Sequence, residues 1–357
     1  MSLSMVRKVL IVLPVLLIIL GVALILVFRE GSLSLISPLF AGKDQTEKIS
    51  QKLSQFTLDF SKSKDLSTLE KVPRYIVYNS ETGLVYYSKG TGLKMSPASF
   101  TKLLSAQIAL DLISLDKEIT VSDKSLDKVP TVLGLKAGEI ISAADLLRGA
   151  ISTSANDSAQ ALADGAAEIS GIFSSEYIYY MNEKARLLGM AHSHFSNPDG
   201  LDDQNQYSTL EDLAKLINNV QINYPEIVLA GKSDNQDIEQ TSKHGRYYLP
   251  NWNGLLGVYP GVTGLKIAYT EEAGYSTIVT AVRDNTSMVA IVSGTGSYLE
   301  RDRAAADLLD AAFMTKGLPA VRVSTFMLNR HYQVWGDLAR KIRSELKAAN
   351  KPLITSH

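Results

Sequence analysis

The chain has 357 residues, and its 36 Lys or Arg against 37 Asp or Glu leave a formal charge of −1. That balance supplies no global basic field and argues against nucleic-acid binding by bulk electrostatics. Hydrophobic residues make up 45% of the chain and charged residues 20%, too apolar for disorder, and the absence of Cys excludes thiolate metal sites, a Cys nucleophile and disulfides.

Residues 9–28 carry no charge, and only Pro14 and Gly21 interrupt their hydrophobic run. At ~1.5 Å rise per residue this segment spans a ~30 Å hydrocarbon core. Arg7 and Lys8 precede it, which favours a cytoplasmic N-terminus. The run is longer than the ~7–15 apolar residues of a cleaved signal, so it reads as an uncleaved single-pass anchor. Everything after Phe28 is then expected outside the cytoplasm, with the protein at the cell membrane. Residues 29–42 read as a linker, and residues 43–60 as a helix with Ile49, Leu53, Phe56 and Phe60 on one stripe. Residues 75–78 and 84–87 are short β-rich runs around Asn79-Ser-Glu-Thr-Gly83, a hairpin signal. A mostly helical stretch from about 99 to 216 follows. Residues 264–269, 275–282 and 287–293 then carry β-branched residues between turn residues, and 301–316 returns to helix. Strands at both ends with helices between predict an α/β (α+β) fold whose sheet draws on distant segments. Near the C-terminus, Trp335, Leu338, Ile342 and Leu346 form a helical stripe beside Arg340, Lys341, Arg343, Lys347 and Lys351. Such a helix can lie on an anionic membrane. Packing on the folded domain is the simpler expectation, because residues 9–28 already supply an anchor.

Three local patterns could carry chemistry. Ser99-Phe-Thr-Lys102 follows Ser96-Pro-Ala, a helix start, and positions i and i+3 share a helix face, so Lys102 can reach the Ser99 hydroxyl. A Ser hydroxyl needs a base, and Lys, with a reference pKa of ~10.4, serves as one only when desolvated or near another cation. The helix N-terminus also offers backbone N–H groups to an oxyanion. Ser154-Ala-Asn156 places a hydroxyl and an amide two residues apart. Lys266 lies on a predicted strand on which Ala268 and Thr270 alternate to the same face, and could hold a substrate carboxylate. Each pattern alone is near chance: an ordinary helix start, a polar turn and a solvated edge-strand Lys explain them equally well.

Taken together and in order, these segments resemble the serine D-alanyl-D-alanine carboxypeptidases, the low-molecular-mass penicillin-binding proteins of the S11 peptidase family. Ser96-Pro-Ala-Ser-Phe-Thr-Lys102 is similar to the family's nucleophile segment, and Asp145-Leu-Leu147 with Ser154-Ala-Asn-Asp157 to its second block. Phe195-Ser-Asn-Pro-Asp-Gly-Leu-Asp202 and Tyr207-Ser-Thr209 resemble a block between motifs two and three. Gly261–Lys266 and Tyr269-Thr-Glu-Glu-Ala-Gly-Tyr275 frame the third. The likeness covers about residues 72–315. It implies a penicillin-binding-protein/β-lactamase-like fold, an antiparallel sheet flanked by helices with a mostly helical subdomain. It further implies that Ser99 attacks the bond between two terminal D-Ala residues of a peptidoglycan stem peptide and becomes acylated, with Lys102 as general base. Ser154 would relay a proton to the departing D-Ala, Lys266 would tune it and attract the substrate carboxylate, and Asn156 would hold Lys102 and the substrate amide. Ile267, Ala268, Tyr269 and Thr270 would line the substrate strand, the Ser99 and Tyr269 N–H groups forming the oxyanion hole. No metal or organic cofactor is implied, and β-lactams would acylate the same serine.

The sequence departs from the family at the third motif, which is Lys266-Ile267-Ala268 where Lys-Thr-Gly or Lys-Ser-Gly is usual. Ile267 removes a hydroxyl that would bond the substrate carboxylate, worth ~1.5–3 kcal/mol or roughly 10–150-fold. Ala268 adds a methyl facing substrate, and Thr270 could supply a replacement hydroxyl. With nucleophile, base and relay intact, a weakened or altered enzyme is expected ahead of a binding module that only grips D-Ala-terminated wall peptides. Endopeptidase or transpeptidase action would use the same acyl-enzyme. His192 and His194 with Asp199 do not extend to a third ligand at zinc spacing, and Trp252 is expected in a loop near the site or in the core. The expected organisation is 1–30 N-terminus and anchor, 31–71 linker and helix, 72–316 catalytic domain, and 317–357 a C-terminal extension with a basic amphipathic helix.

Overall fold

The computed structural model describes residues 43–349. Contacts divide the chain into a unit of residues Glu47–His357 and a unit Met1–Thr46. The expected anchor at 9–28 and linker at 29–42 lie outside the described residues. Among the described residues no helix is long and apolar enough to cross a membrane.

In chain order the elements are α1 (Lys43–Gln51), β1 (Arg74–Asn79), β2 (Val85–Lys89), α2 (Thr101–Leu112), β3 (Glu118–Thr120), β4 (Ile140–Ser142), α3 (Ala143–Arg148), α4 (Asn156–Ile169), α5 (Ser174–Leu187), α6 (Leu210–Asn223), α7 (Pro225–Lys232), β5 (Asn235–Ile238), β6 (Tyr247–Pro250), β7 (Val262–Ala268), β8 (Tyr275–Arg283), β9 (Thr286–Thr295), α8 (Tyr298–Met314) and α9 (Thr325–Ala349). The expected helix over 43–60 ends at Gln51. Beyond it Asp59 instead forms a bridge with Leu84, so a strand edge captured backbone that the apolar stripe had suggested was helical.

The main sheet has the order β2-β1-β9-β8-β7, every neighbour antiparallel. The β1–β2 turn forms where the sequence predicts it: Asn79 Oδ1 accepts from the Glu81 and Thr82 amides at 3.0 and 2.8 Å, and Gly83 takes φ +73°. The β1–β9 pairing sets Arg74 opposite Ser293, joining the two ends of the domain as expected. Both faces of the sheet are covered, so its central strands are buried almost without alternation. On one face Val77, Val279, Ala290 and Val292 share a core with Ala305, Leu308, Leu309 and Phe313 of α8. On the other, Tyr78 reaches the Ala214 carbonyl of α6. Behind the site, α2 is buried from Thr101 to Ala109 and packs on α4, α5 and α6. A helix buried all round needs no polar stripe, and this one shows none.

The helical layer is fastened by an ion pair cut off from water. Lys184 Nζ and Asp111 Oδ2 are 2.8 Å apart, with side chains 0% and 1% exposed. Lys184 also donates to the Ile49 carbonyl of α1 and to Tyr224 Oη, and Tyr224 donates to Asp111 Oδ1. Burial pushes the Asp111 carboxyl up and the Lys184 ammonium down, each opposed by the partner's charge. Replacing one member strands the other in a dry interior. Lys184→Met should lower unfolding free energy by about 3–5 kcal/mol, and Lys184→Met/Asp111→Leu by clearly less, in urea titrations. A Lys184→Met protein as stable as wild type would contradict this account of the layer.

Candidate active site

The segment that bears Ser99 takes its shape from a short turn. Pro97 opens a short 3₁₀ turn, Ala98–Phe100, that runs into α2. Ala98 holds φ +44°, a left-handed value costly for a residue with a Cβ. Gly200 is what lets the neighbouring loop press against this turn: a Cβ on Gly200 would lie 2.0 Å from the Ala98 carbonyl oxygen. Loop and turn therefore specify each other's position. Ser99 emerges half-buried, while Lys102, one turn on, is 0% exposed.

Lys102 Nζ donates to Ser99 Oγ at 2.9 Å, to Asn156 Oδ1 at 2.7 Å and to the Asp199 carbonyl. Burial pushes its ammonium down to about 7, the Asp199 charge opposing this and the Lys128 charge adding to it. Lys128 is itself paired with the Asp199 carboxylate at 2.7 Å. Near neutrality Lys102 can therefore hold a lone pair beside a serine hydroxyl.

The second pattern sits where a helix is broken on purpose. Five residues after α3 form a π-turn, Gly149–Thr153, that ends with Ser154 at φ +66°, and Asn156 then starts α4. Asn156 also donates through Nδ2 to Val129 O and through its backbone to Thr131 O. Next to it, buried Asp157 collects the Leu133, Gly134 and Leu135 amides at 2.9, 2.9 and 3.2 Å. One dipeptide thus orients the Lys102 amine and pins the 129–135 loop beside the cavity.

The third pattern comes from β7. Lys266 is 1% exposed, bonds the Ile267 carbonyl at 2.9 Å, and is held well below the usual lysine range by burial and then by the charges of Lys102 and Arg301. It is not the solvated edge lysine that its strand position also allowed. Ser99, Ser154, Asn156, Ile267, Ala268, Tyr269 and Thr270 line one cavity of about 570 Å³, with Trp252 on its wall. The three patterns, far apart in the chain, therefore converge. The expected face Lys266–Ala268–Thr270 needs correction. The strand ends at Ala268, and Thr270 Oγ1 donates to Asp202 Oδ1 at 2.8 Å, which Ser96 Oγ also reaches at 2.7 Å. A hydroxyl has one proton, so Thr270 cannot also replace the donor missing at Ile267.

Several residues that build the site carried no signal of their own in the sequence. Asp199, Gly200 and Asp202 stood in a recognisable block, but their tasks follow only from what the folded loop touches. Lys128 and Arg301 belonged to none of the three patterns. His194 Nδ1 is instead hydrogen-bonded to the Asn205 carbonyl, its ring stacked on Tyr207.

The sequence model of the family described as "D-alanyl-D-alanine carboxypeptidase" (Peptidase_S11) matches residues 66–297, well over half the chain. The D-alanyl-D-alanine carboxypeptidase DacF of Bacillus subtilis is 30% identical over 244 residues, 67% of this chain and 61% of that protein. A crystal structure of penicillin-binding protein D2 from Listeria monocytogenes in its ampicillin-bound form superposes with a TM-score of 0.59 at 28% identity, covering 68% of this chain and 97% of that one. DacD from Francisella tularensis, a D-alanyl-D-alanine carboxypeptidase at 24% identity and TM-score 0.63, covers 77% of this chain and 76% of its own, and shares the fold. The chain belongs to the S11 family of D-alanyl-D-alanine carboxypeptidases, and its fold is the mixed α/β fold of penicillin-binding proteins with an antiparallel sheet. It spans about three-fifths of the length of DacF.

The contact between Gly200 and Ala98 gives a direct test of the site's construction. Gly200→Ala should cost about 2–5 kcal/mol, from steric overlap and left-handed backbone together, in urea titrations. It should also slow acylation at Ser99, and wild-type stability in the variant would show that the loop is not seated as described.

Proposed function

We propose that this protein is a serine-type D-alanyl-D-alanine carboxypeptidase that removes the terminal D-Ala of peptidoglycan stem peptides through an acyl-enzyme on Ser99. The observation that carries this is Lys102, buried, lowered to about 7 and 2.9 Å from the Ser99 hydroxyl. Neutral Lys102 takes the Ser99 proton as Oγ attacks the carbonyl of the terminal peptide bond. The oxyanion that forms lies by the backbone N–H groups of Ser99 and Tyr269. As the C–N bond breaks, Ser154 passes its proton to the leaving amine and regains one from protonated Lys102, which returns to its neutral form, and free D-Ala departs. Lys266, whose charged form burial, Lys102 and Arg301 disfavour, would take up a proton as the substrate's terminal carboxylate enters and pair with it. Water then attacks the ester, its proton going to neutral Lys102, and as the acyl C–O bond breaks that proton returns to Ser99 Oγ, so serine and base are both regenerated. A β-lactam opens on the same serine.

Ile267 and Ala268 line the cavity where a Thr and a Gly would be usual, and Thr270 is already committed to Asp202. These observations favour a reduced rate. They also motivate a second reading, a module that binds D-Ala-terminated peptides without cutting them. Release of free D-alanine from diacetyl-Lys-D-Ala-D-Ala separates the two. Endopeptidase or transpeptidase action is the remaining variant of the same chemistry. The charge-free run at 9–28 behind Arg7 and Lys8 supports a single-pass anchor with the catalytic domain, residues 72–316, on the outer face of the membrane.

Intact-mass measurement after ampicillin should show one adduct, mapped to Ser99, and none in Ser99→Ala. The acylation rate should rise with pH through about 7 and level off, because the lowered pKa leaves Lys102 protonated below that pH and neutral above it. Equal labelling of both proteins would sink the nucleophile, and a rate still climbing at pH 9 would sink the base. Ile267→Thr should raise turnover of the D-Ala-D-Ala peptide by about tenfold or more, the scale of one hydrogen bond to a charged group. Unchanged kinetics would remove Ile267 from the account.

A further inference from the structure

The helix α9 lies beyond the segment that the family model matches, yet it reaches the cleft. Trp252 stands on the shared wall between the 570 Å³ cavity and a neighbouring cavity of about 310 Å³, which Lys136, Arg246 and Tyr248 help to line. The back of Trp252 is held by α9. Its indole meets buried Trp335 edge to face, with ring centroids 6.2 Å apart at 72°. Its carbonyl accepts from Arg301 Nη2 at 3.1 Å. Tyr332 Oη donates to Asp302 Oδ2 at 2.5 Å, accepts from Arg301 Nη2 at 2.9 Å, and lies 3.2 Å from the same Trp252 carbonyl. Arg301 in turn is fixed by Asp302 at 2.7 and 3.0 Å. The fit leaves no slack: a Cβ on Gly254 would come within 2.2 Å of Asp302 Oδ2 and 2.6 Å of Tyr332 Oη. From Tyr332 a run of ring contacts continues through Tyr298 and Tyr275 to Tyr269 on the cavity's other side, at 4.7, 6.3 and 4.4 Å.

We propose that Tyr332 and Trp335 are positioning residues for the cleft. Through Arg301 and the Trp252 backbone they hold the indole as a fixed partition. That partition determines how the residues upstream of a peptide's terminal pair seat themselves beside the second cavity. The clamp stands on geometry alone; the peptide as ligand rests on the carboxypeptidase reading.

Trp252 and Trp335 are the chain's two tryptophans, so Trp335→Phe leaves Trp252 as a sole reporter that keeps an aromatic partner. In that full-length background, Tyr332→Phe removes the hydroxyl but not the ring. Acrylamide quenching of the Trp252 fluorescence, without ligand, should become about twofold steeper as the indole loosens, while far-UV circular dichroism is retained. With diacetyl-Lys-D-Ala-D-Ala, KM should rise by about three- to tenfold, the scale of one ordinary hydrogen bond, with kcat nearly unchanged. Unchanged quenching together with unchanged KM overturns the proposal. So does a loss of kcat that follows a falling melting temperature with KM constant, because that is a structural role only. If the wild-type protein neither releases D-alanine nor takes up ampicillin, the carboxypeptidase reading has failed, and the quenching comparison alone still decides the clamp.

Discussion

The site depends on a single unfavourable act, the removal of a lysine ammonium from water. Lys102 is fully buried, and a charged amine in that position is tolerated only because three acceptors surround it: Ser99 Oγ, Asn156 Oδ1 and the Asp199 carbonyl. The same dryness makes the neutral amine accessible near pH 7. Each surrounding element can be understood as holding one of those acceptors. The 3₁₀ turn delivers the hydroxyl, the broken helix after α3 delivers the amide, and the loop at Asp199 delivers the carbonyl. The central helix α2 excludes solvent from behind.

Electrostatics then divide the labour among four cations. Lys128 pairs with the Asp199 carboxylate, and Arg301 is neutralised by Asp302. Burial and then the Lys102 charge hold Lys266 well below the usual lysine range. On the reading proposed above, a substrate that ends in a carboxylate would favour the charged form of Lys266. On that same reading, the buried amines have a recognition task as well as a catalytic one.

The sequence disclosed much of this, and the reasons are local. Ser99 and Lys102 share a helix face whatever the tertiary structure, and the β-branched runs that became β7, β8 and β9 needed no partner to be visible. The hairpin at Asn79–Gly83 was written in turn chemistry. The helix predicted to Phe60 failed because a strand edge took over its backbone, which periodicity cannot foresee. The short β5–β6 hairpin went unseen because Asn235–Ile238 has neither alternation nor β-branched density. Thr270 was misplaced by extending strand alternation past Ala268 into a turn. The predicted stripe on α9 was displaced as well: Leu328, Trp335 and Ala339 are buried while Leu338 is 37% exposed. Asp199, Gly200 and Asp202 act through backbone and loop contacts, which depend on three-dimensional closure and leave no periodic trace.

The sheet's connectivity has a consequence for how the molecule comes into being. Because β1 pairs with β9, the hairpin made first on the ribosome waits for one of the last strands before its open side is closed. Such long-range closure is entropically slow. Through most of synthesis β1 therefore presents an unsatisfied apolar edge, and neither β7 nor its lysine can dock beside the helix that bears the serine. Closing the sheet and bringing β7 beside the helix that bears the serine both require strands from the C-terminal part of the domain, so chains that stop short of them would leave apolar edges open to misassociation.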